Sequence, residues 1–487
     1  MIFKGNFFNG RFVPPRRGAT ILSENPGDLD HPIGTIASSI ESVPDAVGSA
    51  CRAFRNWSAL RMAERKKYLK RLAAEIQKNK NALAMLVTRE MGKTLSESES
   101  EVDRIVQKIK ITCDFESRLL AETRHEISHG VFGAIQYRPR GVIVVISPFN
   151  VPAYLGLAPT ASALAVGNTV ILKPSELAPF VGQFIAEIFQ KAGFPSGVFN
   201  LLQGGGDVGE ALVTAGGVDG VMFTGSWQTG SRIQEKLIHF PEKICALEMG
   251  GKNAAIILKD ADLSAATEEI LNGAFMTTGQ RCNATSRVII EKPLLKKFLD
   301  DFLRKNDRLV PGYGEDQGVS FGPLVSAKAL SRAENLIGKA RGEGFEILRS
   351  GGRLTLQKRG YYLKPSVHFR ESPPAGTAQD GTYTDEEIFA PDVAIYAVKN
   401  LDEAIELNNR PRYGLVTALF THSKKNFEHA LAECQTGLVN WNVSTTRSSS
   451  RLPFGGLKRS GNHHPAGFFS PFIFTIPTAV TGRPGSF

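Results

Sequence analysis

The sequence predicts an α/β protein, with a largely parallel, nucleotide-binding type of sheet followed by a second α/β unit. Three observations carry this reading. Short β-branched runs alternate with helix-length segments between Val142 and Ile238. Two glycine-rich turns each follow one of those runs. The strand pattern then restarts at Ala254 and continues towards Asn440. Strands that alternate with helices imply right-handed crossovers and parallel pairing.

The chain opens with an extended, turn-rich stretch to about Pro44. From Val43 to Leu120 it reads as helices, because Ala50, Phe54, Trp57, Leu60, Leu69, Leu72, Ile76 and Leu83 recur at amphipathic spacing. Arg124–Tyr137 alternates loosely and predicts a strand or hairpin. Strands follow at Val142–Ile146, Val170–Lys173, Val198–Leu202 and Gly220–Phe223, with helices at Pro159–Ala165, Ala178–Ala192, Gly209–Ala215 and Gly230–Ile238. Ala254–Leu258, Val288–Ile290, Val393–Tyr396 and Val439–Asn440 are the strands of the second unit. Pro471–Val480 is apolar and β-prone, and is expected to pair with another element or another chain.

At 487 residues there is room for about three domains and a large core. Five cysteines are too few for a disulfide scaffold, and the odd number leaves one unpaired, which points to a reducing cytoplasm. The net charge of +10 comes from scattered Lys and Arg, unaccompanied by an aromatic RNA-binding motif, zinc knuckle or basic arm, so no nucleic-acid partner is expected. Met1–Phe12 contains Lys4, Asn6, Asn9 and Arg11 and lacks a signal-peptide core. The apolar runs are far shorter than a membrane span, so no membrane association is expected either.

Two glycine clusters compete for a phosphate. Gly204-Gly205-Gly206-Asp207-Val208-Gly209 satisfies GxGxxG after a strand, although such clusters often only turn the chain. Phe223-Thr224-Gly225-Ser226-Trp227-Gln228-Thr229-Gly230 joins a strand to a helix. There Gly225 permits a tight turn and Ser226 can donate to phosphate beside the helix N-terminus. The absence of a Gly-Lys-Ser/Thr ending argues against an NTPase. Neither loop alone decides the cofactor. In Lys173-Pro174-Ser175-Glu176, a carboxylate just past a strand can accept both ribose hydroxyls of an adenosine and would repel a 2′-phosphate; a solvated helix start fits equally well.

Cys282 lies in Thr278-Gly279-Gln280-Arg281-Cys282-Asn283, where the adjacent Arg281 would favour the attacking thiolate. Cys51, Cys113, Cys245 and Cys434 read instead as small buried hydrophobes. Glu248, in Leu247-Glu248-Met249-Gly250-Gly251, sits between apolar residues and a double glycine, where burial would raise its pKa and suit a general base. Asn150, flanked by Pro148 and Pro152 after a strand, offers a fixed amide to a developing oxyanion. No metal-ligand pattern appears.

The segments Pro-Phe-Asn-Val-Pro at 148–152, Lys-Pro-Ser-Glu at 173–176, Phe-Thr-Gly-Ser at 223–226, Leu-Glu-Met-Gly-Gly-Lys-Asn at 247–253 and Gly-Gln-Arg-Cys at 279–282 resemble the NAD(P)-dependent aldehyde dehydrogenase superfamily. They occur in its order, with 34 positions separating Glu248 from Cys282. Further matches are Glu386-Glu387-Ile388-Phe389, Asn408-Asn409, Tyr413-Gly414-Leu415 and Pro453-Phe454-Gly455-Gly456.

The resemblance implies an aldehyde dehydrogenase-like fold: a Rossmann-type NAD-binding domain (1–120 and 140–250), an α/β catalytic domain (251–463) and a small β oligomerisation arm (121–139 and 464–487), in a homodimer or homotetramer. It implies attack by Cys282 on the aldehyde carbon, with the oxyanion held by the Asn150 amide and the Cys282 N–H. Hydride would pass to NAD, and Glu248 would activate water to hydrolyse the thioester. Lys173 and Glu176 would contact the adenosine ribose, Gly225 and Ser226 the pyrophosphate, and Glu387 the nicotinamide ribose, with Phe389 beside the ring. Ala390 stands where the family usually carries glycine.

Pro241–Glu248, Val439–Asn442 and Ser460–Pro465 resemble the branch of the family that oxidises N-succinylglutamate 5-semialdehyde in arginine catabolism. That resemblance implies a small anionic aldehyde and hence a cationic pocket. Arg447 and Arg451, in the loop before Pro453, are candidate clamps, though two solvated loop arginines fit the same sequence. Glutamate 5-semialdehyde or succinate semialdehyde are alternative substrates, and a non-catalytic binding protein of this fold is the alternative from another class.

Overall fold

The structure, a computed structural model, describes residues 1–15, 18–114, 124–371 and 381–483. The expected boundary at 120–121, and residues 484–487 of the expected arm, lie outside them.

The first seven-stranded sheet runs, edge to edge, Ile244–Glu248, Gly220–Thr224, Val142–Ile146, Thr169–Lys173, Phe199–Leu201, Asn6–Phe8, Arg11–Val13. The first five are parallel, and the last two extend the sheet antiparallel from the stretch read as extended and turn-rich. Alternate residues of Val142–Ile146 enter two different cores: Ile143 and Val145 pack with the helices carrying Leu72, Ile105 and Leu164, whereas Val142 and Val144 pack with Val47, Leu212 and Ile233. Burial on both faces is why this strand reads as an unbroken apolar run.

Strand order reverses at Val142–Ile146, whose successors lie on opposite sides of it. In open parallel sheets this switch point leaves a crevice beyond the strands' carboxyl ends. Here those ends lead into Ser147–Asn150 and Gly225–Ser226.

The helix expected at Pro159–Ala165 begins at Pro152. A proline is favoured in a first helical turn, and Pro152 takes that place, so Pro159 lies in the interior. Residues 43–114 form four helices: Val43–Ala59, Met62–Lys78, Lys80–Met91 and Leu95–Asp114.

The second sheet runs Glu346–Arg353, Leu363–Glu371, Asp392–Val398, Thr285–Glu291, Asn253–Ile257, Val416–Phe420, Leu438–Trp441, with only the first strand antiparallel. Glu346–Arg353 and Leu363–Glu371 escape the sequence reading because exposed polar residues interrupt them. Between Glu248 and Asn253 the chain crosses from one sheet to the other. A third sheet pairs the hairpin Arg124–Ser128 and Val131–Pro139 with Thr475–Gly482, from Thr475 opposite Pro139 to Gly482 opposite Phe132. No helix among the described residues is long and apolar enough to cross a membrane.

Candidate active site

The switch-point crevice opens into a cavity of about 930 Å³. Asn150, Glu248 and Cys282 line it, as do Lys173, Glu176, Gly225, Ser226, Glu387 and Phe389. Nine residues scattered from 150 to 389 in sequence therefore meet at one site.

Glu248 ends the edge strand Ile244–Glu248 and is only 4% exposed. A short segment covers that edge: Gly461 bridges Glu248, while Asn462 accepts from the Leu247 N–H at 2.8 Å and donates to the Cys245 carbonyl at 3.0 Å. Burial holds the carboxyl well above the usual carboxylate range, and its Oε1 has no hydrogen-bond partner. A buried unpaired carboxyl oxygen is costly and rare, and marks a group available to a ligand or water.

Cys282 follows three consecutive left-handed residues, Thr277 (φ 54°), Thr278 (φ 58°) and Gly279 (φ 68°). For β-branched threonine this costs about 1–3 kcal/mol per residue and persists only when surrounding contacts impose it. The Glu97 carboxylate does so by accepting from the Thr277 N–H at 2.6 Å and its hydroxyl at 2.9 Å. The Thr278 hydroxyl donates to the Gly322 carbonyl at 2.9 Å, and Gln280 Oε1 accepts from the Val325 N–H at 3.0 Å.

Burial, followed by the nearby Glu248 and Glu387 carboxyls, pushes the Cys282 thiol up to about 12. Arg281 acts in the expected downward direction but is outweighed. Its guanidinium is turned away, with Nε 2.8 Å from the Thr277 hydroxyl and a long 3.9 Å approach to Glu97.

The Asn150 amide donates to the Gln280 carbonyl at 2.8 Å, which holds it against the Cys282 loop with a second N–H to spare. Lys93, buried in an ion pair with Glu101, reaches the Asn150 carbonyl at 3.4 Å, and Glu101 also accepts from the Tyr154 N–H at 2.9 Å. The sequence reading passed over Lys93 and Glu101, since a lysine just before a helix and a glutamate within an acidic first half of it look solvated.

Lys173 is buried at the end of its strand, 3.5 Å from the half-exposed Glu176 carboxylate. Ser226 caps helix Trp227–Leu237, its Oγ accepting from the Thr229 N–H at 3.2 Å. Gly225 is needed for space rather than for left-handed backbone: a Cβ there would strike the Phe223 ring. Its N–H donates to the Glu248 carbonyl at 3.0 Å, tying this turn to the edge strand. Gly206 and Gly209 of the GxGxxG cluster line the same cavity, so the two glycine clusters are neighbours. Glu387 accepts from the Gly251 N–H at 2.9 Å, and burial raises it to about 7. Phe389 is left-handed (φ 60°) and meets Phe149 edge-on at 5.9 Å. Ala390 is not left-handed, which is why alanine is accommodated there.

Arg447 and Arg451 do not reach this cavity, although Thr446 and Ser448–Ser450 line it. Arg447 points outwards to Glu269 at 3.4 Å with its side chain 69% exposed, and Arg451 is exposed. The structure does not bring these two expected substrate contacts to the cavity wall. Among the described residues no group of three His, Cys, Asp or Glu could hold a metal.

The parallel-sheet crevice joins a half-buried cysteine to a buried carboxyl and a buried amide, the makings of an enzyme's active site, and comparison with known proteins makes the class specific. Residues 12–471 match the aldehyde dehydrogenase family, and the chain belongs to that family. It is an aldehyde-oxidising oxidoreductase. It is 36% identical over 439 residues to the N-succinylglutamate 5-semialdehyde dehydrogenase of Escherichia coli O139:H28, covering 89% of this chain and 87% of that one. It is similar in structure to an aldehyde dehydrogenase from Bacillus cereus solved as its NAD⁺ complex (TM-score 0.92, 30% identity, covering 98% and 96% of the two chains). It also resembles 1-pyrroline-5-carboxylate dehydrogenase from Thermus with bound NAD (TM-score 0.90, 30% identity, covering 98% and 92%).

Proposed function

We propose that this enzyme oxidises N-succinyl-L-glutamate 5-semialdehyde to N-succinyl-L-glutamate with NAD. The observation that carries the chemistry is the meeting of Cys282, Glu248 and Asn150 in one cavity, with Glu248 Oε1 buried and unpaired. The 36% identity to an N-succinylglutamate 5-semialdehyde dehydrogenase supports the substrate.

The residues present fit a nicotinamide dinucleotide. Lys173 and Glu176 would hold the adenosine ribose, Gly225, Ser226 and the start of helix Trp227–Leu237 the pyrophosphate, and Glu387 the second ribose, beside Phe389. Two buried orphans on the cavity wall, Ser147 Oγ and Glu248 Oε1, support a polar occupant. When bound, the dinucleotide supplies the hydride acceptor. Glu176 favours NAD, because a carboxylate repels a 2′-phosphate.

Cys282 Sγ attacks the aldehyde carbon, and the oxyanion settles between the spare Asn150 N–H and the Cys282 backbone N–H. Loss of hydride from that carbon leaves a thioester on Cys282. Glu248 takes a proton from water, whose oxygen attacks the thioester, and the carboxylate leaves as the thiolate is restored.

Residues 1–120 with 140–250 serve as the nucleotide-binding domain, 251–463 as the catalytic domain, and 121–139 with 464–487 as an oligomerisation arm. Strand Thr475–Gly482 ends its sheet, and such edges template further pairing, which supports a homodimer or homotetramer. Five free thiols suit a reducing cytoplasm.

The test is NADH formation across N-succinylglutamate, glutamate and succinate semialdehydes and hexanal, with light-scattering mass alongside. The highest kcat/KM is expected for N-succinylglutamate 5-semialdehyde. Equal kcat/KM for hexanal would overturn the substrate.

A further inference from the structure

Helix Leu95–Asp114 sends two cations, one turn apart, to the wall of the same cavity: Arg104 and Lys108. Lys108 is 2% exposed, and its ammonium donates to the Gly467 carbonyl at 2.8 Å. No second acceptor meets its other two N–H groups among the described residues, and no carboxylate pairs with it. Burial pushes the amine down to about 7, a penalty that a facing anion would relieve.

Arg104 lies over the Tyr154 ring, 4.7 Å from its centroid, and has no carboxylate partner among the described residues. The acids nearest along the helix are already engaged: Asp103 with Lys80, Glu101 with Lys93 and the Tyr154 N–H, and Glu97 with Thr277 and Arg281. Two cations thus face the cavity with no ion-pair partner among the described residues, an arrangement that costs free energy unless an anion enters. Hydroxyls stand beside them, since Tyr154 and Ser450 are bonded to each other at 2.8 Å and both line the cavity, as does Ser470.

We propose that Arg104 and Lys108 are the carboxylate clamp that selects anionic aldehydes, in place of the outward-facing Arg447 and Arg451. The guanidinium fork takes two carboxylate oxygens side by side, and the buried ammonium adds a point charge with two free donors. The clamp rests on the reading of this cavity as the aldehyde site, and deepens it by assigning the groups that recognise the far end of the substrate.

The test compares wild type, Arg104→Gln and Lys108→Met in NADH formation from N-succinylglutamate 5-semialdehyde, succinate semialdehyde and hexanal. The readout is the kcat/KM ratio of each anionic aldehyde to hexanal, which a fraction of misfolded enzyme does not move. Each variant is expected to lower that ratio about 10- to 100-fold, the range for losing a hydrogen bond to a charged group, with Arg104→Lys retaining part of it. Glutarate, which cannot react, should compete with hexanal in the wild type and lose potency in both variants. Ratios unchanged within about twofold, or glutarate that does not compete, would overturn the clamp. A collapse of the ratio in an enzyme that prefers succinate semialdehyde would keep the clamp and reject only the proposed substrate.

Discussion

The side-chain amide of Asn253 donates to the carbonyl oxygen of Cys282 at 2.8 Å and to that of Ala284 at 2.8 Å. Its Oδ1 accepts from the Val416 N–H at 3.1 Å, so one buried side chain ties the Cys282 backbone to the second sheet. Asn253→Ala leaves three backbone groups without that partner, which costs about 1–3 kcal/mol for each group left buried and unpaired. Reduced thermal stability and at least a tenfold loss of kcat are expected. Asn253→Asp, which keeps the shape but loses the donors, should behave similarly; wild-type kcat in both would show that Cys282 needs no such anchor.

Glu176 and Lys173 lie 3.5 Å apart, and in the proposed function they hold the adenosine ribose. Glu176→Gln removes the repulsion towards a 2′-phosphate while keeping hydrogen-bonding capacity. The NAD:NADP ratio of kcat/KM is expected to fall by about tenfold, through improved use of NADP as well as weaker use of NAD. Steady-state kinetics with both dinucleotides decide it, and an unchanged ratio would remove Glu176 from cofactor choice.

Arg447 and Arg451 face solvent rather than the cavity. Arg447→Ala and Arg451→Ala should each leave kcat/KM for N-succinylglutamate 5-semialdehyde within about twofold, as expected for exposed charges with weak partners. A tenfold loss in either would mean that the loop swings inwards when substrate binds.

How far the sequence exposes this site depends on where the physics is local. The parallel strands are legible because two-sided burial forces runs such as Val142–Ile146, and Glu248 is legible because its apolar neighbours demand burial. The left-handed Thr277 and Thr278 are not, since β-branched residues disfavour that conformation and the groups that hold it are remote in sequence: Glu97, 180 residues before Thr277, and the Gly322 carbonyl, 44 residues after Thr278. Lys108 reads as one more helix charge until the Gly467 carbonyl, 359 residues on, accepts a hydrogen bond from its ammonium. Arg447 and Arg451 show the converse: their loop is at the cavity, but which way a side chain leaves a loop is not written in residue type.

Cys282, buried beside two carboxyls, should be a poor nucleophile in the free enzyme. A thiol titrating at about 12 rather than near 8.5 carries roughly a thousandfold less thiolate at pH 8. Alkylation by iodoacetamide, followed by mass spectrometry at Cys282 without dinucleotide, should rise about tenfold per pH unit between pH 7 and 10. A plateau above pH 8.5 would show that the thiol is not suppressed. Glu248→Gln, which removes one of the two carboxyls, should shift the whole profile to lower pH.

The same substitution separates stability from function at Glu248. Its carboxyl is held well above the ordinary range by burial, so the folded state keeps a proton that the unfolded chain gives up near pH 4.3. Below that pH both states are protonated and the favourable contribution is complete. As pH rises the unfolded chain ionises first, and stability is lost until the folded pKa is passed. Glutamine cannot titrate, so Glu248→Gln should melt higher than wild type at pH 8, by about 1–2 °C for each kcal/mol recovered, with the gap closing towards pH 4. The same variant should stall at the thioester and release a burst of about one NADH per active site. Steady turnover would remove Glu248 as the base, while an unchanged melting difference between pH 4 and 8 would mean that its carboxyl ionises normally in the fold.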